Sequence, residues 1–185
     1  MIPVAVKFSL RIRSLLAVSL LLLATAAPGA VRDPEEHFFD TTFGDFSEEL
    51  QNAKDQGKKG ILLMFEMDEC PFCHRMKTTV LNQSEIQDYF KENFLIFPVD
   101  IEGDVEVVDF QGNTLAQKDF ALKEFRVRAT PVFAFFDLDG KMVARYTGAT
   151  RDPQEFQWLG EYVVDGSYGK TSFTRYKMER RKAAQ

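Results

Sequence analysis

The chain holds only two cysteines in 185 residues, so it lacks the disulfide framework that staples small exported domains. It has no excess of positive charge: 23 Lys and Arg face 28 Asp and Glu, for a formal net charge of −5, which argues against a nucleic-acid partner. It has no apolar run long enough for a comfortable membrane span, since the longest, even stretched from Ser14 to Ala27, falls short of the length a bilayer demands. It shows no internal repeat and no low-complexity segment.

What is present first sets the compartment. Lys7, Arg11 and Arg13 precede the apolar run Leu15 to Leu23, which ends in the small residues Ala24-Thr25-Ala26. That pattern is a secretory signal peptide with cleavage expected after Ala26, and the lack of a cysteine near that site argues against a lipoprotein. Residues 27–185 are then expected to form one exported domain, with a core over about 45–164 and an extension over 165–185.

The two cysteines stand three apart in Asp68-Glu69-Cys70-Pro71-Phe72-Cys73-His74. A bridge this short constrains no useful loop, so the pair is read as kept for reactivity rather than for stability. C-x-x-C is a redox motif, but Cys70 to His74 also spells C-x-x-C-H, the pattern of covalent haem attachment. A haem would take His74 as one axial ligand, with His37 or a methionine as the other. A third chemistry is open to the same residues: Cys70 and Cys73, with His74 or Met76, are soft ligands suited to Cu(I).

The surroundings weigh between them. After a polar leader, Val31 to Glu36, the capping pattern Asp45-Phe46-Ser47-Glu48 opens a helix that ends near Gly57. Gly60 to Met67 is an almost continuous apolar run, as in a strand buried on both faces, and the cysteines follow at once. A helix from Cys70 should turn Val80 and Leu81 inward, and Ser84-x-x-Gln87 should cap the next one. Phe94 to Ile101 reads as a strand in which Pro98 marks an edge or an irregularity, and Asp104 to Leu115 as an acidic hairpin turning at Gln111-Gly112-Asn113. Thr114-x-x-Gln117 is expected to cap a helix that faces Leu122 and Phe125 to the core. Thr130 to Phe136 and Lys141 to Thr147 read as strands joined through Asp137-Leu138-Asp139-Gly140, and Asp152-Pro153-Gln154-Glu155 starts a helix that runs to about Val164. The basic tail, with Arg175, Lys177, Arg180, Arg181 and Lys182, is expected as a solvated terminal helix. Strands mixed with helices in this way make an α/β or α+β sandwich around a central sheet.

At a strand-to-helix handover, Cys70 would meet the unpaired amides and the positive end of a helix dipole, both of which favour a thiolate. Cys70 is therefore the expected nucleophile and Cys73, one turn on, the expected resolving thiol, with Pro71 tolerated in the first helical turn. Arg75 and Lys77 favour the same thiolate, whereas Glu66, Asp68 and Glu69 oppose it.

Strand, C-x-x-C, helix and a later Thr130-Pro131 at the start of a strand resemble the thioredoxin superfamily, over about Asp45 to Val164. The resemblance implies a thioredoxin-like α/β fold, with a central mixed sheet flanked by helices, the acidic hairpin as an insertion and a C-terminal helical tail. It implies a cis Thr130-Pro131 bond beside the cysteines that orients the substrate strand, a Gly148 beside the active site, and no bound cofactor or metal. The acidic hairpin, Gly148-Ala149-Thr150-Arg151-Asp152 and the Gly166-Ser167-Tyr168-Gly169 stretch are similar, more finely, to periplasmic thioredoxins of bacterial sulfur-oxidation clusters. That finer likeness implies a periplasmic, monomeric reductant of partner-protein disulfides that takes its electrons from a membrane thiol-transfer protein; a thiol oxidant or isomerase is the alternative.

Two departures bear on mechanism. Ordinary thioredoxins have a tryptophan directly before the first cysteine and a buried carboxylate six residues before it; Glu69 and Met64 stand there in this chain. Glu66 shares a strand face with Met64 by period-two alternation and is the candidate replacement proton acceptor for Cys73. Pro71, Phe72 and Gly148 are the candidate docking surface for a substrate peptide, with Phe133 as a possible apolar neighbour of Phe72.

Overall fold

A computed structural model describes residues 30–183; the signal-peptide reading of residues 1–26 lies outside the described residues. The elements in chain order are α1 (Pro34–His37), α2 (Phe46–Asp55), β1 (Gly60–Glu66), α3 (Pro71–Thr79), α4 (Ser84–Asn93), β2 (Phe94–Asp100), β3 (Glu106–Val108), β4 (Thr114–Ala116), α5 (Gln117–Asp119) running into a wide turn at Phe120–Glu124, β5 (Val132–Phe136), β6 (Met142–Thr147), α6 (Pro153–Val164), a 3₁₀ turn (Ser167–Gly169) and α7 (Phe173–Ala183).

A four-stranded sheet in the order β2-β1-β5-β6 forms the centre, with β1 parallel to β2 and antiparallel to β5, and β5 antiparallel to β6. The apolar run of β1 follows from that position. Leu62 and Met64 face a core layer with Phe90 of α4 and Phe156 and Leu159 of α6, while Ile61, Leu63 and Phe65 face a second layer with Phe46 and Leu50 of α2 and Phe120. A strand covered on both sides has no solvent face to fill with polar residues. Phe90 stacks on Phe156 with ring centroids 4.5 Å apart, and Phe133 meets Phe156 edge-on at 4.9 Å. Each such ring withdrawn from water contributes roughly 2–3 kcal/mol. Gly60 is where β1 starts, because a Cβ there would lie 1.9 Å from the Phe136 carbonyl oxygen of the neighbouring strand.

β2 is an edge strand, which explains how it carries Pro98. The acidic hairpin forms as β3 and β4, separate from the main sheet.

Several expectations need correction. Ser84 is not a cap: it is the first residue of α4, and its backbone N–H donates to the Ala30 carbonyl at 3.0 Å. Thr114 sits in β4 and caps nothing, and α5 starts after Ala116. The turn that follows is wider than an α-helix, which rotates Phe120 and Ala121 into the core and leaves Leu122 exposed, with Phe125 packed against the core edge. Val80 and Leu81 are buried as expected, but just past the end of α3.

Residues 31–36 of the leader are exposed or half-buried, and it is just after them that the chain enters the core, with Phe38 fully buried beside Phe90 and Phe156. The carboxy-terminal segment differs from its reading as a solvated helix. The terminal helix α7 is docked, because Tyr176 is buried against Tyr162 and the cations Lys177 and Arg181 reach a buried carboxylate, Glu155, on α6. No described helix is long and apolar enough to cross a membrane.

Candidate active site

β1 ends at Glu66, and the chain crosses Met67-Asp68-Glu69 before α3. Cys70 is the N-cap of α3, with extended backbone and its Sγ accepting a hydrogen bond from the Cys73 N–H at 3.0 Å, while Pro71 takes the first helical position. The cap is a sulfur placed where the helix's free amides point, the location that stabilises negative charge. Cys70 and Cys73 are joined as a disulfide, with Cα atoms 5.2 Å apart. Both residues are buried, Cys73 at 3 % and Cys70 at 6 % exposure.

The Thr130-Pro131 peptide bond is cis. The loop before β5 lies beside the disulfide, with the Thr130 hydroxyl donating to Cys70 Sγ at 3.1 Å. Gly148 follows β6 with φ of +96°, a conformation in which a side chain would be strained, and its N–H donates to the Pro131 carbonyl at 2.8 Å. Among the described residues, its two chain neighbours aside, no atom lies within 4 Å of the place where a Gly148 Cβ would stand, so that side of the backbone is open to them. Cys70, Cys73, Thr130, Pro131 and Gly148 therefore form one connected group.

Pro71 and Phe72 are exposed at the tip of α3, Phe72 by 57 %. Phe133 is not part of that surface. It is fully buried against Phe156, because β5 is an interior strand and Phe133 pairs with Met64 of β1, whose side chain also faces the helix layer. Phe72, being exposed, does not shield Cys73; burial in the α3 layer does.

Glu66 lines a cleft of about 210 Å³ together with Cys70, Cys73, His74, Lys77 and Asp100. Its carboxylate is held by Lys77 Nζ at 2.8 Å, and Lys77 also contacts Glu35 at 2.7 Å. Burial pushes the Glu66 carboxyl above its usual range; Lys77 opposes that rise, while Glu35 and Asp100 add to it. Burial alone would lower Lys77, but its contacts to Glu35 and Glu66 outweigh burial and raise it. The rise at Lys77 thus comes from one cation shared between two carboxylates, whereas that at Glu66 comes first from burial.

Arg75 does not serve as a free cation beside the sulfurs. Its guanidinium donates to the carbonyls of Thr150 at 3.4 Å and Arg151 at 3.0 Å, which fastens the loop after Gly148 to α3. Met76 is buried, and its sulfur accepts from the Thr150 hydroxyl at 3.6 Å. Among the described residues no group of three or more His, Cys, Asp or Glu is arranged to hold a metal ion. For haem, both sulfurs would have to leave each other and the core to bond a porphyrin, and His37 lies on α1 in an exposed contact with Glu36. A larger cleft, about 620 Å³, lies between α4 and α6 beside Tyr89 and Pro153, and no cysteine lines it.

Lys77 and Glu35 as partners of Glu66, and Arg75 as the anchor of the 150–151 loop, were not legible from the motif. An i, i+4 relation from Cys73 to Lys77 places the lysine on the inner face of α3, which was the only available hint.

A mixed sheet with a dithiol at the strand-to-helix junction and a cis-proline loop against it defines a protein of thioredoxin fold. The thioredoxin-like domain model matches residues 46–164, and the chain belongs to that family. Among solved structures it is similar to a thioredoxin-fold protein from Helicobacter pylori, at 27 % identity and a TM-score of 0.56, over 69 % of this chain and 82 % of that one. It is also similar to a putative disulphide-isomerase from Bacteroides thetaiotaomicron, at 22 % identity and a TM-score of 0.54 over 75 % and 97 % of the two chains. A thioredoxin from Thermus thermophilus matches at 23 % identity and a TM-score of 0.51 over 65 % and 84 %. Comparison with curated protein sequences gave no match.

Proposed function

We propose that this chain is a thiol:disulfide oxidoreductase that reduces disulfides of partner proteins outside the cytoplasm. The observation that carries the reading is the Cys70–Cys73 disulfide at the start of α3 with the Thr130 hydroxyl against Cys70 Sγ. In the reduced protein, the Cys70 thiolate attacks one sulfur of a substrate disulfide, forms a mixed disulfide and releases one substrate thiolate. Cys73 then loses its proton and attacks Cys70 Sγ, closing the intramolecular disulfide and releasing the second substrate thiolate. Two electrons pass to the substrate, and a thiol donor must restore the dithiol.

Glu66 is the group proposed to take the Cys73 proton, supported by its place in the cleft with both cysteines and by the burial that raises its carboxyl toward useful basicity. Thr130 and Pro131 are proposed to align the substrate strand through backbone hydrogen bonds, with Pro71, Phe72 and Gly148 framing it. Export by cleavage after Ala26, a periplasmic location, a monomeric state and electron supply from a membrane thiol-transfer protein complete the proposal. They rest on the amino-terminal pattern and on the likeness to periplasmic thioredoxins of sulfur-oxidation clusters. No bound cofactor is needed, since the two sulfurs carry the electrons.

The equilibrium potential against glutathione tests the direction of flow: a value near about −270 mV supports a reductant, and one near about −120 mV makes the protein an oxidant.

A further inference from the structure

Residues 30–40 precede the region matched by the family model, yet they form a strap across the dithiol side of the molecule. One end is fixed by the Ser84 N–H on the Ala30 carbonyl at 3.0 Å and by the Arg32 guanidinium on Asp88 at 2.6 Å. The other is fixed by the Asp40 N–H on the Ile96 carbonyl at 2.7 Å and the Ile96 N–H on Asp40 Oδ2 at 2.8 Å. Between these anchors Phe38 and Phe39 are buried, and α1 presents Glu35 with its Oε1 2.7 Å from Lys77 Nζ.

We propose that Glu35 is a positioning residue of the dithiol site, acting through Lys77 to set how much of that cation's charge reaches Glu66 and the sulfurs. The proposal rests on the oxidoreductase reading only for its meaning in turnover. Lys77 is 24 % exposed at its side chain, lies 5.4 Å from the Phe39 ring centre and touches two carboxylates, so its charge is divided between them. Glu35, Lys77 and Glu66 together are a net anion when all are ionised. Asp100 on β2 and Asp68 in the loop add negative charge at the same cleft, and His74 on α3 faces it too.

Removing either member of the Glu35–Lys77 pair therefore has opposite effects at the sulfurs. Without Glu35, Lys77 and Glu66 are left as a neutral pair and a cysteine thiolate forms more readily. Without Lys77, two unopposed carboxylates remain and a thiolate forms less readily. A strap that only braced the fold would not produce shifts of opposite sign.

The test is the thiolate ultraviolet absorbance of the reduced full chain as a function of pH, in wild type, Glu35→Gln, Glu35→Asp, Lys77→Met and Glu66→Gln. Glu35→Gln is expected to lower the apparent thiol pKa by about half a unit, and Lys77→Met to raise it by about as much. Glu35→Asp should restore most of the wild-type value. Glu35 is half exposed, so its glutamine variant should fold. If Glu35→Gln leaves the titration unchanged while Glu66→Gln moves it, the strap has no such role, although Glu66 keeps its own. Shifts of the same sign in Glu35→Gln and Lys77→Met overturn the proposal as well. The titration needs no substrate, so failure of the chain to reduce disulfides would count against the proposed function alone.

Discussion

The Thr130 hydroxyl lies 3.1 Å from Cys70 Sγ, across 60 residues of sequence, and is a side-chain donor aimed at the sulfur expected to carry negative charge after reduction. A hydrogen bond to a charged group contributes about 1.5–3 kcal/mol. Thr130→Val keeps the shape and removes the donor. It is expected to slow disulfide reduction at mildly acidic pH about tenfold, by raising the Cys70 thiol pKa, and to change little well above that pKa, where thiolate forms regardless. Initial rates of insulin reduction across pH check this.

Phe72 is a large apolar side chain left in water beside the reactive sulfur, and nothing in the fold requires it there. Phe72→Ser should raise the KM for a protein disulfide several-fold, because an exposed aromatic group contributes area to a docking face. A small-molecule disulfide should be reduced at the wild-type rate, and stability should change by no more than about 0.5 kcal/mol. Parallel kinetics on the two substrates separate docking from chemistry.

The chemistry-bearing core of the site is legible in sequence because it is local or repeats a short pattern. A buried strand followed by C-x-x-C and a helix places Cys70 at an N-terminus, and the Thr130-Pro131 step marks the loop that meets it. The errors come where a side chain's fate depends on a distant partner. Ser84 has the look of a cap, but Gln83 holds the cap position and Ser84 is already the first helical residue, its N–H tied to the Ala30 carbonyl. The basic tail has the look of a solvated helix, but its cations find Glu155 more than 20 residues upstream, and burial of Glu155 cannot be read from its place in a capping box. Phe133 follows from topology: β5 becomes an interior strand only once β6 pairs along it.

Glu155 is 3 % exposed at its side chain and is held by Lys177 at 2.5 Å and Arg181 at 2.9 Å, which fastens α7 to α6. Replacing both cations by Met would leave a buried carboxylate without a counter-charge, a change that costs about 3 kcal/mol. The Lys177→Met/Arg181→Met variant should lose that much in urea unfolding at neutral pH. Adding Glu155→Gln should recover a large part of it, because the unpaired charge is then gone.

Glu124 is an exposed residue, yet its carboxyl is pushed up from the usual 4.5 to about 7, first by its partial withdrawal from water and then by the neighbouring Asp109 carboxylate. An acid whose folded pKa exceeds its unfolded value holds a proton in the native state that the unfolded chain has released. Its contribution to stability is therefore full below about pH 4.5 and is lost as the pH rises through about 7. Glu124→Gln should flatten the fall in the urea midpoint across that window, with the variant the more stable of the two at pH 8. Asp109 itself resists burial through hydrogen bonds from Asn113 and Gln111, which keep its carboxyl below the usual range, so it remains the charged member of the pair.

The division of labour between the two sulfurs is tested most directly by trapping. Cys70→Ser and Cys73→Ser are each incubated with a peptide disulfide, and the protein is examined by mass for a covalent peptide adduct. A stable mixed disulfide should accumulate in Cys73→Ser, where Cys70 attacks and nothing resolves the product, and should be absent from Cys70→Ser. An adduct on Cys70→Ser with none on Cys73→Ser would contradict the account, since Cys73 would then be the nucleophile.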